Sequence, residues 1–122
     1  MTLTFAGLTP FTRPVAILRA STTIEGTVTV IAIQGEADVA TLPILIDAVA
    51  RAIAEHDGAV VIDLAQTLYI DTATVRALAR ARAFLSGRGR ELTFRSPSRL
   101  PARMLAYFGL SEFVEPGGLA QS

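Results

Sequence analysis

The sequence predicts an α/β fold: a mixed sheet of four or five strands with about three to four helices packed against it. Three observations predict it. Apolar residues follow strand-like and helix-like spacings in the order β-β-α-β-α-β-α along the chain. The run "AVVIDL" (59–64) is continuously apolar, as in strands buried on both faces. At Asp71 the pattern changes within a few residues from strand to amphipathic helix. Helices inserted between successive strands imply parallel, right-handed crossovers from residue 27 onward.

Taken in order, residues 1–14 read as an irregular arm. "VAILRAS" (15–21) and "TVTVIAIQG" (27–35) are rich in β-branched and aliphatic residues, with Glu25-Gly26 between them as a turn signal, and predict a hairpin. From Thr41, Leu42, Leu45, Ile46, Val49 and Ile53 recur at three and four residues, while Asp47, Arg51 and Glu55 line the opposite side. This is an amphipathic helix that Thr41 can cap, with Pro43 tolerated in its first turn and Asp57-Gly58 ending it. After strand 59–64 a short loop leads to "LYI", and Asp71 or Thr72 starts a helix through about Leu85, with Val75, Leu78 and Leu85 inward. Ser86-Gly87 stops it. "ELTFRS" (91–96) predicts another strand. Pro97 and Ser98 precede a third helix, "RLPARMLAYFGL", with Leu100, Met104, Leu105 and Phe108 inward. Phe113-Val114 closes a domain spanning 15–115, and 116–122 reads as a flexible tail.

Composition narrows the function classes. The chain has 122 residues, enough for one core without disulfides or metal, and no cysteine, which removes thiol nucleophiles and thiolate metal sites. No stretch approaches the roughly 18 uninterrupted apolar residues of a membrane span, and the first residues lack the pattern of a secretion signal. Membrane insertion is therefore not expected, and a cytoplasmic location is. Net charge is zero and every basic residue is arginine; eight of the 11 arginines fall between Arg76 and Arg103. Such a cluster is ordinarily solvated helix surface, or else an electropositive face for an acidic protein partner. Nucleic acid is not expected, because no aromatic platform or binding motif accompanies the arginines.

The stretch "YIDTATVRAL" (69–78) poses the functional question. An aspartyl protease offers one answer, since an apolar residue followed by Asp-Thr-Gly marks such sites. Here Ala73 stands where glycine is needed, and a helix follows where those proteases are β. His56, the only histidine, lies at a polar helix end. Asp63 and Asp71 end strand-like segments, where sites gather in open sheets, but no glycine-rich phosphate loop or Ser/His pairing accompanies them. No enzyme activity, cofactor or metal is expected.

Three segments together resemble the STAS domain, the small α/β module of bacterial anti-sigma factor antagonists. "VTVIAIQGEADVAT" is similar to its apolar strand followed by Gly-Glu-Leu-Asp and the first helix. "AVVIDLAQTLYIDTATVRAL" is similar to its buried strand ending in Asp-Leu, followed by an apolar residue, Asp-Ser-Ser-Gly and a helix. "ELTFRSPSRLPARMLAYFGLSEFV" is similar to its final strand, turn and helix ending in Gly-Leu. The resemblance implies partner switching: the unmodified antagonist binds a serine-kinase anti-sigma factor, and phosphorylation at the start of the second helix breaks the complex. It places Asp71 on the family's aspartate, Thr72 on the first hydroxyl, Ala73 on the usual phosphoacceptor and Thr74 on the glycine.

Alanine has no oxygen to modify. Either the antagonist lacks the usual switch, or Thr72 or Thr74 serves as phosphoacceptor, or the protein is a STAS scaffold of a stress-signalling or lipid-transport complex. Both threonines can alternatively act as helix caps. The resemblance further implies that Asp38, Asp71, Thr72, Ala73, Thr74 and Arg76 meet the partner, with Asp38, Thr72, Ala73, Thr74 and Arg76 on one exposed patch.

Overall fold

The computed structural model describes residues 18–116. Four strands form one sheet in the order β1-β2-β3-β4: β1 (Arg19–Glu25), β2 (Val28–Ala37), β3 (Val60–Ile70) and β4 (Leu92–Arg95). Three helices follow in turn: α1 (Leu42–Glu55) after β2, α2 (Thr72–Ser86) after β3 and α3 (Arg99–Tyr107) after β4. A 3₁₀ turn at Ser111–Phe113 follows α3. The expected arm (1–14), the first residues of the expected first strand and the tail from 117 lie outside the described residues.

The hairpin forms where the turn signal predicted, but displaced along the chain. Glu25 pairs with Val28, leaving Gly26 and Thr27 as a two-residue loop. Gly26 has φ of 64°, as the first central position of a type II′ turn demands. The β2–β3 and β3–β4 pairs are parallel, as their helical connections require.

β3 corrects one expectation: the short loop between "AVVIDL" and "LYI" does not exist. The strand runs unbroken through Ala65-Gln66-Thr67, because β2 continues beside it with register shifts at Ala32/Gln34 and Gly35/Glu36. The Thr67 hydroxyl, buried, donates to the Ile33 carbonyl at 2.7 Å and fixes this stretch. The extension carries the end of β3, and with it the start of α2, level with the end of β2.

The core lies between the sheet and the helices. Ile31 and Ile33 of β2, Val60, Ile62 and Leu64 of β3, and Leu92 and Phe94 of β4 meet Leu45, Val49 and Ala52 of α1, Val75, Leu78 and Leu85 of α2, and Leu105 of α3. Two residues assigned inward do not point there: Ile46 and Leu100 are about half exposed. In α3 the buried positions are Pro101 and Leu105, four apart, with Met104 and Phe108 packed at their flank. Val114 bridges Phe94 of β4, so the expected closing segment joins the sheet edge as a single bridge. Arg95 pairs with Glu115, just past this bridge, at 3.1 Å, and reaches Glu25 at the end of β1 at 3.3 Å. Its pKa is raised, first by the hydrogen bond to Glu115 and then by that to Glu25.

Candidate functional site

The β2–α1 loop and the start of α2 meet at one corner of the sheet, beyond the ends of β2 and β3. Asp71 makes the corner. Its backbone N–H donates to the Ala37 carbonyl at 2.9 Å, continuing the β2–β3 pairing by one residue. Its Oδ1 accepts from the Thr74 N–H at 2.9 Å, the N-cap bond that satisfies one donor left free at the helix start. Its Oδ2 accepts from the Val39 N–H at 2.9 Å, across 32 residues of sequence. One carboxylate thus holds a helix start and a loop together.

Asp38 shapes the loop itself. Its Oδ1 accepts from the N–H groups of Ala40 and Thr41 at 2.9 and 3.0 Å, an Asx turn. Thr41 was expected to cap α1, and it does not: it has helical φ and ψ and no side-chain cap bond. Its hydroxyl instead accepts from the Asp38 N–H at 3.0 Å and donates toward the Glu36 carbonyl at 3.1 Å. The loop's own open donors outcompete those of the helix, because Thr41 already lies in helical geometry and its oxygen faces back toward Asp38.

The first residues of α2 differ sharply in exposure. Thr72 is exposed, Ala73 half-buried and Thr74 fully buried at 0%. Thr74 therefore cannot belong to an exposed patch, which corrects the sequence expectation, and in the folded state its hydroxyl is out of reach of a kinase. Neither threonine is the cap; Asp71 is. The Thr74 Oγ1 has no hydrogen-bond partner. Its burial was readable in advance, since Thr74 and Leu78 are four apart on the inward face that Val75 and Leu85 also occupy. Arg76 is exposed one turn further on, with its guanidinium 5.9 Å from the Phe108 ring, so it leans toward α3.

Three apolar residues that sequence reading did not assign to the site also sit here. Val39 is 67% exposed and Leu68 66%, and Tyr69 is exposed beside them at the end of β3. Their signal in the sequence is weak: isolated apolar residues next to a cap are hard to separate from core.

The arrangement of this corner does not suit acid–base chemistry. Both aspartates are already engaged by backbone N–H groups, which leaves them poorly placed as acid–base partners. The protease reading is further contradicted by the helix that starts at Thr72, where a β framework is needed. Among the described residues no group of three His, Cys, Asp or Glu side chains could hold a metal ion. A cleft of about 240 Å³ between α1 and α2 is lined by apolar side chains, including Leu45, Ile53 and Leu78, with Arg80 as its single charged group. No helix among the described residues is long and apolar enough to cross a membrane.

The family model described as "Mlab, STAS domain" matches residues 20–115. The chain belongs to the STAS domain family. This STAS domain is similar to an anti-sigma factor antagonist from Mycobacterium paratuberculosis, with a TM-score of 0.69, 22% identity and 87% of each chain covered. It is also similar to the anti-sigma factor antagonist SpoIIAA in its unphosphorylated form, with a TM-score of 0.63 and 14% identity over 81% of this chain and 86% of that one. A third structure, "Mglu", shares a TM-score of 0.57 and 22% identity over 66% of this chain and only 20% of its own. At these identities the likeness establishes the fold. No curated protein matches the chain.

Proposed function

We propose that this STAS domain is a regulatory docking protein of the anti-sigma factor antagonist type. It binds a serine-kinase anti-sigma factor, or a related regulatory partner, through the corner where the β2–α1 loop meets the start of α2. One observation carries the reading: Asp71 locks loop and helix together, and the residues presented beside it are Val39, Thr72 and Ala73. A preformed corner loses little conformational freedom on binding, which favours affinity.

The same corner lacks the usual switch. Ala73 presents a methyl group where the family pattern carries the accepting hydroxyl, and Thr74 is buried. Thr72 is the one exposed hydroxyl of the three candidate positions, and a phosphate there, with about −1.5 to −2 charges, would stand next to the Asp71 carboxylate. The partner complex is therefore governed by supply of the two proteins more than by phosphorylation, and sigma-factor-dependent transcription follows that supply. Titration calorimetry with the cognate anti-sigma factor tests the docking. Ala73→Glu should weaken binding by at least about tenfold, roughly 1.4 kcal/mol, with an unchanged unfolding midpoint. Unchanged affinity would place the interface elsewhere.

A second reading has its own support. Val39, Leu68 and Tyr69 are apolar and exposed around this corner, and permanent interfaces are more apolar than transient ones. They favour a STAS scaffold built into a stress-signalling or lipid-transport assembly. A partner that stays bound through extended washing, with or without ATP, supports the scaffold; one released by ATP supports switching.

A further inference from the structure

The free edge of the sheet has a self-complementary sequence. Among the described residues, β1, Arg19–Glu25, pairs with β2 on one side only, and as the first strand in the sheet order its other side is an edge. Seven residues is long for an unprotected edge, and such edges are templates for another strand. Apart from Ala20, every residue of β1 is exposed.

Read against an antiparallel copy of itself, with Thr22 on the two-fold axis, "RASTTIE" places Arg19 opposite Glu25, Ala20 opposite Ile24 and Ser21 opposite Thr23. Unlike charges meet at both ends, where each Glu25 also keeps its 3.3 Å pair with Arg95 of its own chain, and an Ala20–Ile24 pair lies inside each. Opposed charges and β-branched pairs each stabilise cross-strand contacts, whereas like charges directly opposite weaken them. The backbone agrees. Hydrogen-bonded and non-hydrogen-bonded pairs alternate along an antiparallel ladder. Counting back from the closing pair Glu25–Val28 of the two-residue hairpin, Ala20, Thr22 and Ile24 turn their N–H and C=O groups toward the free edge. Those three residues pair with one another in the two-fold arrangement.

The neighbouring helix supplies an apolar flank. α1 packs over β1, and its buried face is Leu45, Val49 and Ala52. Ile46, Ala50 and Ile53 lie on the α2 side, along the cleft, so Ile44 falls on the opposite flank, above the edge strand. Ile44 is 43% exposed and Ile24, on the helix-bearing face of β1, is 50% exposed. A second copy docked along β1 covers both, and in an isologous arrangement each contact occurs twice.

We infer that the β1 edge is a homodimer interface, with two copies joining β1 to β1 antiparallel about Thr22 into a continuous eight-stranded sheet. A strand pair of this length with one helix flank falls below the about 1,200–2,000 Å² of a standard stable interface, so the dimer is weak, with a Kd on the order of 10 μM. The edge lies at the opposite margin of the sheet from β4 and leaves the docking corner open.

Sedimentation velocity across a concentration series, from micromolar to near-millimolar protein, tests it. The wild type should shift from monomer to dimer over that range. Thr22→Pro removes an outward donor without touching the β1–β2 ladder, a position where edge strands tolerate proline, and should leave monomer throughout. Arg19→Glu should weaken the dimer at least about tenfold by opposing like charges; Glu25→Arg, which also loses the pair with Arg95, should weaken it at least as much, and the double variant should bind more tightly than either single one. Circular dichroism melts confirm that each variant is folded; should Thr22→Pro fail there, the charge pair decides. A wild type that stays monomeric, a dimer indifferent to the charge reversals, or a double variant as weak as either single one overturns the inference.

Discussion

At one end of the sheet the Asp71 carboxylate accepts from the N–H groups of Val39 and Thr74; at the other the Arg90 guanidinium donates to the carbonyls of Gly58, Ile53 and His56, at 3.0, 3.2 and 2.6 Å. Each side chain satisfies the backbone groups that a helix end leaves open, with the sign of charge that the helix dipole favours there. The surroundings differ. Arg90, half-buried, closes the end of α1 and its following loop through three backbone carbonyls. Asp71 holds its loop and helix so that Val39, Thr72 and Ala73 remain in contact with solvent. The same device closes a helix end at one side of the sheet and joins a loop to a helix start at the other.

The comparison breaks most readily at Arg90. Arg90→Ala leaves three part-buried carbonyls without their charged donor, and should cost about 3 kcal/mol, given about 1.5–3 kcal/mol for a hydrogen bond to a charged group and partial rescue by water. Urea unfolding reads this, and partner affinity of the folded variant should be unchanged. A loss below about 1 kcal/mol would mean that water replaces the guanidinium and that Arg90 is no counterpart to Asp71.

Asp71 should combine a smaller stability effect with a binding effect. Asp71→Ala removes a cap worth about 1 kcal/mol and the bond to Val39, for about 2 kcal/mol in all. Asp71→Asn is the sharper probe. Its carbonyl oxygen can still cap Thr74, but its amide cannot accept from Val39, so hydrogen exchange at the Val39 amide should accelerate while that of Thr74 changes little. Partner affinity should fall in both variants. Equal protection of Val39 in wild type and Asp71→Asn would detach the loop from the carboxylate.

Thr74 gives the smallest effect. Thr74→Val keeps the shape and deletes a buried hydroxyl with no partner, so stability should stay level or rise by up to about 1 kcal/mol. A clear loss would reveal a bond to that hydroxyl and a polar role at the helix start.

These residues also show what the sequence made legible. The α2 start was readable because Asp71 is both a good cap and the last residue before an inward pattern of Val75, Leu78 and Leu85. The order of elements along the chain followed from alternating periods. Thr74 was misread because a threonine near a helix start fits a capping role as well as a buried one, and only its four-residue relation to Leu78 separates them. The loop assigned to 65–67 was wrong because Ala65 and Gln66 carry no apolar signal, while the strand there is held by β2 and by Thr67 reaching Ile33. The Asp71–Val39 bond joins residues 32 apart and has no local signature. Leu100 and Ile46 were assigned inward by spacing alone, and each lies one position off its buried stripe.

Intact-mass analysis after incubation with the cognate serine-kinase anti-sigma factor and ATP bears most directly on the docking corner and its missing acceptor. The wild type should gain no phosphate, because Ala73 offers a methyl group, Thr74 is buried, and Thr72 projects about 100° away around a helix of about 3.6 residues per turn. Ala73→Ser, bound with near-wild-type affinity, should gain one phosphate and then release the partner. Rapid stoichiometric phosphorylation of the wild type, mapped to Thr72, or an Ala73→Ser protein that binds the kinase and stays unmodified, would contradict this assignment of the corner.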